Sequence, residues 1–328
     1  MTKSKPIIYY QPLSNVEPQE IEWFWCPFMP FGSVTILEGD PGLGKSFLAM
    51  YLAAIVSTGG ELPGGTKVRR GRVLYLAAED DPAYTIRPRI DAMAGDAERI
   101  RIQADYAALD DIGLTRLGKE VRMHRPDLII IDPLYAFVPS GADIYRPNEI
   151  RAFLVQLTKL AEETGAAILV IRHLRKAKGE KALYQGAGSI DVIGVARSAL
   201  MVGLHPDDPE RRVVVHHKHN LSARGESLAF RLPVSPDLRL PRLVWDGKVD
   251  LDADDLINGG SETTSLELVK GFLKEALKRG PKAAEEILQR AKAEGHASRT
   301  LDRAKKALGV QVRKNGKIWE WALPIRER

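Results

Sequence analysis

Val34-Thr-Ile-Leu-Glu-Gly39-Asp40-Pro41-Gly42-Leu43-Gly44-Lys45-Ser46-Phe47 is the stretch that decides the fold. An apolar, β-branched run enters a glycine-rich turn, and the apolar segment Phe47–Val56 follows, so the order is strand, loop, helix. Gly39 to Ser46 fits G-x-x-x-x-G-K-[ST]. Glycines let a backbone wrap closely around a phosphate chain, so that successive N–H groups and a helix N-terminus aim at the anion. In this pattern Lys45 reaches the outer phosphates and Ser46 ligates Mg2+. Asp40, Pro41, Gly42, Leu43, Gly44 and Phe47 complete the cradle.

Working outward, short apolar runs alternate with amphipathic stretches, which predicts an α/β fold: a mostly parallel twisted sheet with helices on both faces. The strands are expected at Val34–Glu38, Val73–Ala77, Leu128–Ile131, Ala167–Ile171, Ala199–Val202, Val213–Val215 and Leu228–Leu232. The first five are near-continuous apolar runs, as in parallel strands buried on both faces. The last ones crowd around His205-Pro206-Asp207-Asp208-Pro209 and read as antiparallel edge strands.

Leu128-Ile-Ile-Ile-Asp132 ends an apolar strand in a carboxylate, which suits Asp132 to hold Mg2+ with Ser46. Pro133 follows it, so an acid that orients an attacking water must come from another strand. Glu79 is the first candidate and Asp80 the second; a helix N-cap ahead of Pro82 is the alternative duty, and it suits Asp80 and Asp81 better. His173, after the strand Ala167–Ile171, is placed either to sense a γ-phosphate or to cap the strand end. The basic stretch with Arg175, Lys176, Lys178 and Lys181 reads as a functional loop or a solvated charge run. Alternation along a strand puts His217 and His219 on one face and His216 on the other, and neither cysteine nor carboxylate completes a metal site there.

The 328 residues, 44% of them hydrophobic, suffice for one large and one small domain. No apolar run is long enough for a membrane span. The single cysteine, Cys26, excludes an internal disulfide, fits a reducing cytoplasm and reads as a buried small hydrophobe. Residues 261–328 hold 16 Lys and Arg against 9 Asp and Glu, whereas the rest of the chain is slightly acidic. The expected organisation is an N-terminal arm (1–30), a core (31–249), an acidic, glycine-containing linker (250–263) and a basic tail domain (264–328).

Within the tail, Thr264-x-x-Glu267 reads as a capping box opening a first helix. Gly280-Pro281 separates it from a second helix, Ser298 caps a third, and Asn315-Gly316 turns a hairpin. Three helices and a hairpin predict a winged helix-turn-helix. Arg299, Arg303, Lys305 and Lys306 on the third helix and Arg313, Lys314 and Lys317 on the hairpin suit duplex DNA.

The phosphate-binding loop, Glu79, Ile-Asp132-Pro-Leu, Ile-Arg-His173-Leu-Arg-Lys and Gly188-Ser189 followed by Arg197 resemble, in this order, the RepA-type hexameric plasmid and phage helicases, RecA-like P-loop ATPases of the AAA type. The resemblance covers about residues 20–245. It implies ATP and Mg2+ as ligands, Glu79 as catalytic base and His173 as sensor. It also implies Arg197 as an arginine finger reaching a neighbouring subunit's ATP. Lys218-His-Asn220 resembles an interface element of related motors in which Lys218 faces a neighbour's phosphates. A DNA-stimulated helicase ring follows, with the basic loop on single-stranded DNA. An ATP-switched DNA-binding regulator or loader is the alternative, and a small-molecule kinase is a third.

Overall fold

The computed structural model describes residues 10–324 except 104–106, 140–146, 175–190, 235–239, 297 and 317. In chain order the elements begin with a hairpin, β1 (Trp23–Trp25) and β2 (Met29–Pro30), followed by β3 (Val34–Gly39) and α1 (Lys45–Thr58). A second hairpin, β4 (Gly60–Leu62) and β5 (Thr66–Val68), precedes β6 (Val73–Ala77), α2 (Arg87–Ala92), β7 (Ile100–Ile102) and α3 (Asp111–His124). Then come β8 (Leu128–Asp132), α4 (Leu134–Phe137), α5 (Pro147–Thr164), β9 (Ala167–His173) and α6 (Asp191–Val195). Four strands follow: β10 (Ser198–His205), β11 (Asp208–His219), β12 (Ser227–Arg231) and β13 (Val244–Val249). The chain continues as α7 (Ala253–Leu277), β14 (Lys282–Ala283), α8 (Ala284–Ala293), α9 (Ser298–Ala307), β15 (Gln311–Asn315) and β16 (Ile318–Ala322).

Nine strands form one sheet in the order β13-β12-β11-β10-β3-β9-β8-β6-β7. From β10 to β7 every pair is parallel. From β10 to β13 every pair is antiparallel. This is the division expected from the unbroken apolar runs. The two edge strands, β7 and β13, lie only partly buried and carry no such run, which is why the pattern alone passes over them.

Both faces of the sheet are covered. On one, Leu48, Leu52 and Val56 of α1 pack on Leu37, Ile130 and Leu169, with Trp25, Phe28 and Met29 of the first hairpin in the same core. On the other, α3 and α5 pack Val121, Leu154 and Leu157 on Ile36, Ile129 and Ile168. Cys26 is exposed, not buried as expected. It occupies the turn of the first hairpin, where the buried positions go to Trp25 and Phe28 on either side.

The expected linker is instead helical from Ala253, and α7 runs unbroken to Leu277. Its capping box is Asp252 with Asp255: the Asp255 N–H donates to the Asp252 carboxylate (3.0 Å) and the Asp252 N–H to the Asp255 carboxylate (2.8 Å). Acids that read as a solvated linker satisfy the helix N-terminus and oppose its dipole. The start of α7 lies against the large sheet, with Ala253 beside Met201 and Val213. Its end lies in a separate core with Ile287, Leu301 and Trp321. There β14, β16 and β15 form a three-stranded antiparallel sheet, turned at Gly316 with φ 61°. Among the described residues no helix is long and apolar enough to cross a membrane.

Leu154 is fully buried beneath the sheet. Leu154→Ala should lower the unfolding free energy by about 2–5 kcal/mol, read as a shifted midpoint in urea denaturation.

Candidate active site

The parallel strands end together, and their ends build the site. β3 stops at Gly39 and α1 begins at Lys45, so the phosphate-binding loop bridges strand and helix as expected. Gly42 and Gly44 take φ of 79° and 88°, in the left-handed region. A Cβ on Gly39 would lie 2.3 Å from the Val202 carbonyl oxygen of β10, so only glycine permits that strand's close approach. The Leu48 N–H donates to the Gly44 carbonyl (2.9 Å), which starts the helix directly from the loop.

Lys45 is 4% exposed. Its ammonium donates to the carbonyls of Gly39 (2.8 Å) and Asp40 (2.7 Å), so it is held against the loop. Burial pulls its pKa down to about 8, against the upward pull of Asp132, Asp40 and Glu79.

Asp132 ends β8 and is buried. The Tyr75 hydroxyl donates to it (3.0 Å), and the Ser46 hydroxyl contacts it as well. Burial raises its carboxyl to about 6. A hydroxyl and a carboxylate in contact are hard oxygen donors and fit Mg2+. Among the described residues no group of three or more His, Cys, Asp or Glu could hold a metal ion, so a cation here would complete its shell with phosphate oxygens and water.

The three acids after β6 have separate partners. The Tyr135 hydroxyl donates to the carboxylate of Glu79. Asp80 pairs with Arg89 (3.4 Å), whose guanidinium lies 4.3 Å over the ring of Phe47. Asp81 is the cap, accepting from the N–H groups of Ala83 and Tyr84 (both 2.8 Å). His173 stands in register with Gly39, half-buried, 5.9 Å from the Tyr135 ring. Burial and then Lys45 depress its pKa.

Below the loop, Glu38 is fully buried against Arg172 (2.5 Å) and His217 (3.1 Å). Burial alone would raise the Glu38 carboxyl, but Arg172 and His217 outweigh it and hold the carboxyl below its ordinary range. Tyr75, Tyr135 and the Glu38–Arg172 pair escape a reading of motifs. Their only signals are polar groups set in otherwise apolar strands and a tyrosine three residues beyond Asp132.

Arg197 and Lys218 lie elsewhere. β10 pairs with β3 through Ser198 and Thr35 at one end and Met201 and Glu38 at the other. Arg197 therefore precedes the end of the strand remote from Gly39, roughly 16 Å along it. It is exposed and lies outside α6, contrary to the expected helical position, because the chain has already turned to begin the β10 ladder. Lys218 pairs with Ala199 at this same edge and donates to the carbonyls of Ile193 and Gly194. Burial and Arg197 lower the pKa of Lys218.

The ladder also slips between Ala199 and Leu200, leaving His217 unmatched in a β-bulge. The slip breaks the expected alternation and brings the His219 ring to 5.4 Å from that of His216. His216 bonds Ser198 (3.0 Å) and the Gly225 N–H (3.1 Å).

Arg175, Lys176, Lys178, Lys181 and Lys317 and the side chains of Arg299 and Arg303 lie outside the described residues. Lys306, Arg313 and Lys314 are exposed, and Lys305 is half-buried beside Asp302 (3.1 Å).

The sequence matches the AAA domain family over residues 12–179. It is 29% identical over 147 residues to the DNA repair protein RadA of Brucella abortus, covering 44% of this chain and 29% of that protein. It is 30% identical over 147 residues to the DNA repair protein RadA of Mycobacterium tuberculosis strain H37Rv, covering 44% of this chain and 28% of that protein. The chain thus spans less than a third of the length of these relatives. In structure it is similar to a KaiC-like protein of the archaeon Pyrococcus horikoshii OT3, with a TM-score of 0.51 and 16% identity, over 69% of this chain and 100% of that one. The matched segment takes in more than half of the sequence, and the chain belongs to the AAA domain family, with a RecA-like P-loop fold.

Proposed function

We propose that the protein is a ring-forming ATPase, a hexamer, that acts on DNA as a helicase of the plasmid or phage replication type. The observation that carries this reading is the pair Arg197 and Lys218, at the sheet edge remote from the phosphate-binding loop. Neither cation reaches the nucleotide of its own chain. A head-to-tail neighbour would bring both to the next chain's nucleotide, and such heterologous contacts close into rings. The RadA relatives, named as DNA repair proteins, and the basic tail, read as a winged helix on duplex DNA, support a nucleic-acid partner.

In this reading Lys45 and the loop N–H groups bind the β- and γ-phosphates, while Ser46 and Asp132 hold Mg2+. Mg2+, when bound, neutralises charge on the phosphate oxygens. Glu79 orients the attacking water and takes its proton, with the Tyr135 hydroxyl steadying the carboxylate. His173, half-buried near Lys45, relays the state of the γ-phosphate. Arg197 of the neighbour stabilises the charge that develops in the transition state. Strand displacement on forked DNA with ATP separates a helicase from an ATP-switched regulator or loader: a switch would bind the fork and leave it paired.

Lys45→Ala should abolish hydrolysis and weaken ATP binding sharply, whereas Glu79→Gln should bind ATP and fail to turn it over. Phosphate release and binding of a fluorescent ATP analogue distinguish the two, and wild-type turnover by Glu79→Gln would move the base to another group.

The pH dependence follows from two opposed shifts. Asp132 loses its charge as pH falls through about 6, and Lys45 loses its charge as pH rises through about 8. Affinity for Mg-ATP should therefore peak between these values and decline on both sides, as measured by equilibrium titration across the range.

Arg197→Ala and Lys45→Ala should each be inactive alone, yet mixed assemblies should recover part of the activity wherever an intact loop meets an intact Arg197. Normal turnover by assembled Arg197→Ala would reject the finger and point to Lys218.

A further inference from the structure

The hairpin of the C-terminal core presents two tryptophans on one face, and only one of them packs. Val312 pairs with Trp321 and Lys314 with Trp319, so these four side chains share a face of the β15–β16 ribbon. Trp321 is 5% exposed, lies within the apolar cluster, and carries the Lys305 ammonium 4.5 Å over its ring. Trp319, two residues nearer the hairpin tip, is 54% exposed, with Val312 beside it 47% exposed. Trp319 is absent from that cluster. Its one ring contact among the described residues is the Lys314 ammonium, 5.7 Å from the centroid and near the outer limit of a cation–π contact.

An indole left in water forgoes the burial that normally holds this side chain, and packing among the described residues does not account for it. The surroundings name the chemistry of an occupant. The face pairs a flat π surface with an ammonium, and it lies in the segment that holds the chain's excess of Lys and Arg. Apolar protein partners would gain from Val312 and Trp319 but would bury Lys314. A polyanion with flat rings matches all three groups, because a base stacks on the indole while its phosphate meets the ammonium.

We infer that Trp319 is a stacking platform for an unpaired base of single-stranded DNA, with Lys314 holding the adjoining phosphate. This rests on the reading of residues 264–328 as nucleic-acid-binding and adds a preference within it. The helix and hairpin cations attract any duplex, whereas a ring can stack only on a base that has left the helix. The ribbon would thus mark a strand end, a gap or a fork rather than a base sequence.

The test uses the full chain and a short oligonucleotide carrying 5-iodouracil, which cross-links to stacked aromatic side chains on irradiation. The cross-link should map to Trp319 in the single strand and be absent from a blunt duplex carrying the same base. Its yield should fall on the order of tenfold in Trp319→Ala and persist in Trp319→Phe, since either ring offers a stacking face. Cross-links that map only to other residues, or an equal yield in Trp319→Ala, would overturn the platform even though the protein binds DNA. Retention of neither single strand nor duplex by the wild type would instead reject nucleic-acid binding, and the platform with it.

Discussion

A carboxylate sits at the bottom of the phosphate-binding loop, fully buried. Glu38 is fully buried in the central strand β3, and the guanidinium of Arg172 on β9 neutralises it, with His217 of β11 on its other oxygen. A buried charge left alone costs several kcal/mol, so an arrangement that separated the pair would be strongly disfavoured. A slip of β9 by one residue would turn Arg172 to the opposite face and leave Glu38 unpaired. The register that avoids this sets His173 opposite Gly39 and brings the ends of β3 and β9 level. The placing of Lys45, Asp132 and Glu79 around one point depends on that alignment.

The site then separates its charges by burial. Lys45 and Asp132 are withdrawn from solvent, so burial presses each toward its neutral form, and each is held by nearby groups of suitable polarity. A polyphosphate and a divalent cation would restore the charged forms of both, so the electrostatics of the loop suit such ligands. Glu79 stays exposed and is steadied by one hydroxyl from Tyr135. A carboxylate in that setting keeps contact with solvent. The same parallel pairing that gathers these groups at one edge sends Arg197 and Lys218 to the other.

α7 joins the large sheet to the C-terminal core as one continuous helix. Its 25 residues span roughly 38 Å, and its two ends belong to different apolar cores. Three glycines, Gly259, Gly260 and Gly271, lie inside this helix, and the first two show why composition misleads here. Glycine weakens a helix by about 1 kcal/mol relative to alanine, and burial of both ends can outweigh that.

By itself the sequence determined what local rules can specify. The loop from Gly39 to Ser46 was legible because glycine spacing is a backbone requirement, and the apolar runs were legible because parallel strands bury both faces. Asp132 was legible as the polar residue ending an apolar strand, and Glu79 as an acid two residues beyond one. Tertiary structure alone decided the rest, because each remaining feature depends on a partner far away in the chain. Asp80 is taken by Arg89, Glu38 needs Arg172, and the bulge at His217 exists only against Ala199 and Leu200. The edge to which Arg197 belongs is likewise set by the pairing of Ser198 with Thr35. Periodicity and motif spacing describe one segment at a time, whereas these contacts are pairings across the sheet, and only the folded register selects them.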